Sequence, residues 1–286
     1  ADWTGFIPFE ALPRTVNPAG GWIVAANHKI VSKDYPYFIS DDWAPGFRAR
    51  RIWEMLDKQP PTMQGATAIQ IDHLSLMARH LLPLMTNIAP ASDKARKALA
   101  MVRAWDGNMA RGRPEPLIFT AWLRALNEAI YADELGEMFA SYWSLRPLFV
   151  SSVLRQRIGW CDDIKTTGTE DCSSRIEMAL NKALETLVVQ FGPDIGAWRW
   201  GDVHQAHFRH RLFDAIPVIR RLANLTIGSD GGDFTINRGA SRIGDGDHPF
   251  RHIHGAGLRA VYDLADLGRS RFVIATGQSG NPLSAH

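Results

Sequence analysis

The central part of the chain repeats apolar residues with the period of an amphipathic helix. Apolar positions recur three and four residues apart, which places them on one face of a helix. Pro90 follows one such segment, and Asp106-Gly107 ends another. In the last segment, Ser173 or Ser174 is placed to cap the start of the helix and Gly192 to cap its end. The pattern predicts helices over residues 47–56, 67–88, 93–105, 116–135 and 173–192.

The two ends of the chain have a different pattern. Residues 22–26 form a short apolar run with β-branched residues after Gly20-Gly21, which predicts a buried strand. From Gly228 onward the glycine density rises and the helical period is lost. Further strands are predicted over residues 225–229, 234–238 and 271–277. The chain thus divides into strand-rich 1–46, mostly helical 47–225 and strand-rich 226–286.

This order of elements predicts the α+β class, with terminal strands joined in one sheet and helices covering it or bulging outward. No shift in composition marks a linker, so we expect residues 1–286 to form a single piece. A hydrophobic content of 45% with 10 Trp and 13 Phe is enough for a large core. No run of 18 or more apolar residues occurs, so the sequence predicts no membrane span.

The charge of the chain does not indicate a nucleic-acid partner. Basic clusters occur at residues 48–51 and 209–221, but the formal net charge is only +2. A nucleic-acid-binding domain is expected to carry an excess of basic residues on one face. We therefore interpret most of these arginines as solvated helix faces.

Asn27 is the first candidate for a catalytic residue, because it directly follows the end of the apolar run. A side-chain amide fixed there can direct an N–H at a developing negative charge, as an oxyanion-hole donor does. The alternative is that Asn27 begins a turn and bonds its own backbone. Position alone favours the turn.

Several motifs, in order along the chain, resemble the penicillin acylase family. They begin with W-x-G-x-x-P-F-E at residues 3–10, Asn17-Pro18, the glycine-strand-asparagine element, Asp34-Tyr35-Pro36 and an arginine-led helix after Pro45. They continue with WCDD (160–163), WRWGDVHQAHFRH (198–210), GGDFTINRGAS (231–241) and GQSGNPLSAH (277–286). Each motif alone is weak evidence, whereas their order across the chain is specific.

The resemblance implies an N-terminal nucleophile hydrolase with an αββα sandwich and a large helical excursion in the middle of the chain. Such enzymes cut themselves into two chains and use the N-terminal serine of the larger chain as nucleophile. This sequence begins with Ala1. We therefore expect a piece of the large chain whose partners are the small chain and the nucleophile-bearing start of the large chain.

The resemblance also implies roles for individual residues. Asn27 matches the family's oxyanion-hole asparagine, and an alignment anchored on Asp34-Tyr35-Pro36 shifts the match and leaves His28 as the fallback. Arg48 matches an arginine near the nucleophile's amine, where a positive charge helps to keep that amine neutral. The alternative for Arg48 is an ion pair with Asp42 or Glu54 on the helix face.

A calcium site is known in the family, and its nearest counterparts here are Asp41 and Asp42. Both lie two or three residues late, and calcium requires six to eight oxygen ligands. The alternative is that this aspartate pair caps the approach to the Arg48 helix. We expect no organic cofactor.

Cys161 and Cys172 bracket a polar loop that a disulfide can close. A disulfide here indicates an oxidising compartment, so we expect a periplasmic or extracellular location. Two free thiols or half of a metal site are the alternatives.

Two histidine clusters invite a zinc hypothesis. His204, His207 and His210 are spaced by three, and His248, His252 and His254 form the second cluster. A helix would place the first three on one face, but no HExxH motif occurs and Gly201-Asp202 makes a regular helix uncertain. We favour packing and hydrogen-bonding roles.

The sequence therefore predicts part of an amide hydrolase that acts on non-peptide amides such as penicillins or acyl-homoserine lactones. The nucleophilic serine is expected on a segment outside this chain, which alone is expected to be inactive. The alternatives are a non-catalytic scaffold that binds a partner chain and, more remotely, a zinc hydrolase.

Overall fold

The computed structural model describes residues 5–244, 246–279, 281 and 284, including the backbone but not the side chain of Tyr142. The helices are α1 (Phe47–Leu56), α2 (Met63–Gln70), α3 (Leu76–Met85), α4 (Asp93–Ala104), α5 (Glu115–Leu135), α6 (Phe139–Tyr142), α7 (Pro147–Gln156), α8 (Cys172–Phe191) and α9 (Pro217–Ala223). The strands are β1 (Gln205–Phe208), β2 (Leu225–Gly228), β3 (Gly239–Ala240), β4 (His254–Gly255), β5 (Leu258–Val261) and β6 (Arg271–Ile274). Short 3-10 turns include Phe9–Ala11 and Trp200–Asp202.

The helical centre is built around α5, which is buried on nearly every side. Residues 117–123 are all buried, so this helix has no polar face over two turns and lies inside the core. Its main partner is α8, and the Trp122 indole N–H donates to the carbonyl of Ile176 at 2.9 Å. Helices α3, α4 and α7 pack around this pair and complete the core.

The helix predictions are confirmed for α1, α4, α5 and α8, within one or two residues at each end. The segment 67–88 is instead two helices. Ser75 caps α3 by accepting a hydrogen bond from the Ala78 N–H at 3.1 Å, and Leu74 bridges Asn108, so residues 71–75 leave the helix. Helix α8 is capped by Asp171, and the prediction of Ser173 or Ser174 was wrong. Gly192 ends that helix with φ 82°, as predicted.

The strand predictions at the chain ends are corrected in two places. Across the described residues 5–46 no strand forms. The run 22–26 is extended, but its exposure alternates from residue to residue and Ile23 is 67% exposed. An extended run becomes a strand only when a second strand pairs with it, and none of the described residues does so.

Residues 234–238 fold as turns, because Thr235 bonds the backbone of Gly232 and Asn237 locally. The predicted strands over 225–229 and 271–277 are confirmed in part by β2 and β6. Strand β1 lies inside the stretch predicted to be mostly helical.

The strands form three antiparallel pairs, β1 with β2, β3 with β4 and β5 with β6. Gln205 faces Gly228 in the first pair, and Leu258 faces Ile274 in the third.

Helices and small sheets together agree with the α+β class. The αββα sandwich stays a prediction. Among the described residues no helix is both long and apolar enough to cross a membrane.

Candidate active site

Asn27 lies in a left-handed backbone conformation at the end of the extended run, with φ 61°. Asparagine adopts this conformation more readily than most residues, which explains its place at this bend. Its carbonyl accepts a hydrogen bond from the Ala44 N–H at 2.8 Å, which ties the bend to the approach of α1. The side chain remains exposed.

The guanidinium of Arg48 holds the side chain of Asn27. Arg48 Nη2 donates to Asn27 Oδ1 at 2.7 Å and to the Ala26 carbonyl at 3.0 Å. A guanidinium has only donors, so the amide atom that faces it must be the oxygen. The Asn27 NH2 group therefore points away from Arg48 and presents two N–H donors.

Arg48 carries its charge without a bonded carboxylate. Glu54 pairs with Arg51 at 3.3 Å, and among the described residues no ion pair joins Arg48 to Glu54 or to Asp42, so the structure does not support the alternative. Burial lowers the pKa of the Arg48 guanidinium, and the positive charge of Arg238 lowers it further. The site thus combines an amide donor with local positive potential.

His28, the fallback donor, does not take part in this arrangement. Its Nδ1 is buried and has no hydrogen-bond partner among the residues that the structure describes. The geometry therefore favours Asn27 over His28 as the residue that presents an N–H group.

Two contacts hold helix α1 in place, and with it Arg48. The Arg51 guanidinium donates to the Asp72 carboxylate twice, from Nε to Oδ1 at 3.0 Å and from Nη2 to Oδ2 at 2.7 Å. Phe47 is buried and contacts the ring of Phe234 edge to face at 6.0 Å. The helix therefore joins the Asn27 bend to the distant segment 231–241.

That segment contributes groups that sequence reasoning did not single out. The Asp233 carboxylate accepts hydrogen bonds from the Ser241 hydroxyl at 2.9 Å and from its N–H at 3.3 Å. Burial raises the pKa of Asp233 to about 6. Arg238 Nε donates to the Asp233 carbonyl at 3.2 Å. The motif was visible in the sequence, but nothing local indicated that it folds against α1.

Asp41 and Asp42 are both exposed. Within the described ranges, no group of three or more His, Cys, Asp or Glu side chains is arranged to hold a metal ion. The calcium assignment therefore stays a prediction.

The predicted disulfide between Cys161 and Cys172 is confirmed, with Cα atoms 5.0 Å apart. Arg175 lies under the closed loop, where Nε donates to the Cys161 carbonyl at 2.8 Å and Nη2 pairs with Asp163 at 3.1 Å. The bridge thus attaches the loop to the start of α8.

The first histidine triplet does not share a helix face, because His207 lies on β1. His204 is buried and stacks between Trp200 at 4.4 Å and His252 at 5.1 Å. Its Nδ1 contacts the Phe250 carbonyl at 2.8 Å, and burial lowers its pKa to about 4. A neutral stacked imidazole agrees with the packing interpretation.

A rigidly held amide beside uncompensated positive charge is an arrangement suited to stabilise an oxyanion. The model of the penicillin amidase family matches residues 1–286. The chain belongs to the penicillin amidase family.

Relatives of this chain include acylases with two kinds of named substrate. Penicillin acylase 2 proenzyme of Pseudomonas sp. (strain SE83) is 30% identical over 295 residues, covering 100% of this chain and 37% of the relative. Acyl-homoserine lactone acylase QuiP of Pseudomonas syringae pv. syringae is 28% identical over 320 residues, with the same coverage. Penicillin G acylase of Escherichia coli is 29% identical over 158 residues, or 50% of this chain and 19% of that relative. The chain spans 37% of the length of the first two.

Proposed function

We propose that this chain is part of an acylase that hydrolyses non-peptide amides, and that Asn27 is its oxyanion donor. The observation that carries the proposal is the hydrogen bond from Arg48 to Asn27 Oδ1, because it leaves the amide N–H groups directed outward. Membership of the penicillin amidase family supports the reaction class.

In the proposed reaction, the N-terminal serine of another segment attacks the carbonyl carbon of the substrate amide. The carbonyl oxygen becomes an oxyanion, which the Asn27 N–H stabilises, and the amine leaves after it is protonated. Water then hydrolyses the acyl-serine ester and releases the carboxylic acid. An amide is a neutral donor at any working pH, whereas an imidazole changes its charge when it titrates.

Arg48 supports this step by fixing the amide and by adding positive charge near the oxyanion. Its expected place near the amine of the nucleophile is a further part of the proposal. A positive charge there lowers the pKa of an α-amino group, which starts near about 8, so that the amine is able to accept the serine proton.

Penicillins and acyl-homoserine lactones are the proposed substrate classes, since the named relatives include acylases for each. The small chain and the nucleophile-bearing segment are the proposed partners. A calcium ion near Asp41 and Asp42 belongs to the same proposal. The disulfide supports a periplasmic or extracellular location, where such bonds persist.

The test is the substitution Asn27→Asp in the complete mature enzyme. Aspartate retains an oxygen for Arg48 but has no N–H to donate, so we expect kcat to fall by about 10²–10³-fold with little change in Tm. The measurement is steady-state hydrolysis of a penicillin and of an acyl-homoserine lactone.

Asn17→Ala is the matched control. Asn17 is a second exposed asparagine with a positive φ, 47°. Its substitution therefore tests the effect of replacing an asparagine in the left-handed conformation outside the candidate active site. Near wild-type turnover in Asn27→Asp would show that Asn27 is only a bend residue.

N-terminal sequencing of each mature chain tests whether a chain begins with the proposed serine nucleophile. A preparation without a chain that begins with serine contradicts that part of the proposal.

A further inference from the structure

A cleft of about 550 Å3 opens between the β1–β2 pair and the segment that carries β4 and β5. Its volume is in the range of small-molecule sites. None of the residues that line it belongs to the Asn27–Arg48 pair or to Phe47, Phe234 and Arg238 beside that pair. The polar residues that line it include Arg111, Ser229, Asp230, Asn237, His252 and Arg259.

Both arginines of the cleft donate to neutral acceptors. Arg111 Nη1 bonds the Gly228 carbonyl at 3.1 Å. Arg259 Nη1 bonds the Gln70 carbonyl at 2.7 Å, and its Nη2 bonds Asn237 Oδ1 at 2.6 Å. These contacts orient the guanidinium groups without neutralising them, so their positive charges act on the cleft.

Asp230 is the acidic residue among those that line the cleft. Its Oδ1 accepts the backbone N–H of Arg111 at 2.7 Å, which directs one oxygen toward the main chain. Two arginines and one aspartate give the lining a net charge of +1 with neutral histidines. A ligand with a single negative charge balances this lining.

A hydroxyl group adds a neutral hydrogen-bonding partner inside the cleft. Ser229 Oγ contacts His252 Nδ1 at 2.9 Å, and the backbone N–H of His252 donates to the Gln205 carbonyl at 3.2 Å. Because His252 is held by β1, the serine hydroxyl has a fixed position on the cleft wall.

Apolar residues form much of the remaining wall, beside His207 and His254. They include Phe208 of β1 and Ile227 of β2, together with Ile253 and Ala275. Inorganic anions gain nothing from such a wall, whereas an organic anion buries its apolar part against it. The lining therefore favours a ligand with one charged end and an apolar body.

We propose that this cleft binds a small organic carboxylate with an apolar body, with its carboxylate between Arg111 and Arg259 and its apolar part against Phe208 and Ile227. The planar guanidinium fork matches the two oxygens of a carboxylate, which favours this anion. The site is separate from the proposed oxyanion donor and does not depend on its function.

The test is calorimetric titration of the complete mature enzyme with hexanoate, using hexanamide as the neutral probe of equal length. Hexanoate is expected to bind and hexanamide is not. Arg111→Gln is the principal variant, because Arg111 is exposed and its removal costs one side-chain hydrogen bond. We expect hexanoate affinity to fall at least about tenfold, the size of a charge-assisted hydrogen bond.

Arg221→Gln removes an exposed arginine of α9, outside the cleft, and is expected to leave hexanoate affinity unchanged. Ser229→Ala gives a second reading with the charges intact, and a smaller loss of affinity is expected. Hydrolysis of a neutral amide by Arg111→Gln should match wild type, which separates this cleft from the proposed active site.

Any one of four results would overturn the proposal. The first three are absence of hexanoate binding, equal binding of hexanamide, and equal hexanoate affinity in wild type and Arg111→Gln. Displacement of hexanoate by inorganic phosphate at equal concentration would also overturn it, since phosphate has no apolar body.

Discussion

The guanidinium of Arg48 has two oxygen acceptors, one on the backbone of Ala26 and one on the side chain of Asn27. The first contact fixes Arg48 to the extended run, and the second fixes the direction of the amide. At the scale of single residues, the orientation of Asn27 thus depends on a partner 21 positions away in the sequence.

Arg48→Ala should reduce kcat of the complete enzyme by roughly 10–100-fold with little change in KM, because a rotating amide donates less well to the oxyanion. Arg48→Lys should recover part of the rate, since an ammonium retains the charge and one donor. Steady-state kinetics on a neutral amide measure the effect. Arg50→Ala, an exposed neighbour, is the control. Equal kcat in Arg48→Ala and Arg50→Ala would contradict the positioning role.

Glu134 gives a prediction about pH. Burial is the main cause that raises its pKa from 4.5 to about 7, and the neighbouring Asp133 carboxyl contributes to the same shift. The folded state therefore binds more protons than the unfolded state between these values, so the Glu134 contribution to stability falls as pH rises from about 4.5 to 7. Glu134→Gln should raise Tm by roughly 2–4 °C at pH 8, after allowance for solvent screening, and should change it little at pH 4.

Thermal unfolding at the two pH values measures this effect. Glu137→Gln is the matched control, because Glu137 is exposed on the next turn. A Tm difference for Glu134→Gln that does not vary with pH would contradict the raised pKa.

At the scale of elements, α5 and α8 form the core to which the site is attached. Leu126 is fully buried on α5, whereas Val189 on α8 is 89% exposed. Helix α1 contacts α3 in turn, and α3 packs in the same core. The stability of the site therefore depends on helices that contribute no chemical group to it.

Leu126→Ala should destabilise the enzyme by about 2–5 kcal/mol, because it leaves a cavity in the close-packed core. Val189→Ala should change the free energy of unfolding by less than about 0.5 kcal/mol. Urea unfolding followed by tryptophan fluorescence compares the two variants. Similar midpoints for both would show that α5 is less tightly packed than the structure indicates.

At the scale of the whole molecule, the sheets leave much apolar surface uncovered. In the β5–β6 pair, Phe272 is 65% and Val273 is 59% exposed. Successive residues of a strand point to opposite faces, so both faces of this pair are open. A monomeric soluble protein rarely exposes such surface, and the chain spans only 37% of the length of relatives that it matches. We expect the rest of the enzyme to cover the pair.

Phe272→Asp should therefore lower Tm of the complete enzyme by several degrees, through the burial of an unpaired charge. In the 286-residue chain alone, the same change should reduce self-association, which sedimentation velocity measures. An unchanged Tm in the complete enzyme would show that Phe272 stays in solvent there.

The sequence by itself determined helices α1, α4, α5 and α8, the family and the identity of Asn27 as a candidate donor. Helix bounds follow from local signals such as the apolar period and Gly192, which act within a few residues. The disulfide was also predictable, because its cysteines bracket a single loop. Whether segments 22–26 and 234–238 form strands could not be decided from local signals, since a strand requires a partner strand from anywhere in the chain.

Only the tertiary structure decided which atom of the Asn27 amide faces outward. That direction depends on Arg48, and the position of Arg48 depends on the Arg51–Asp72 ion pair and on the packing of Phe47 against Phe234. The arginine-lined cleft arose in the same way, from residues 111, 229 and 259. Contacts between residues so distant in sequence are set by the packing of the whole chain, which no local pattern encodes.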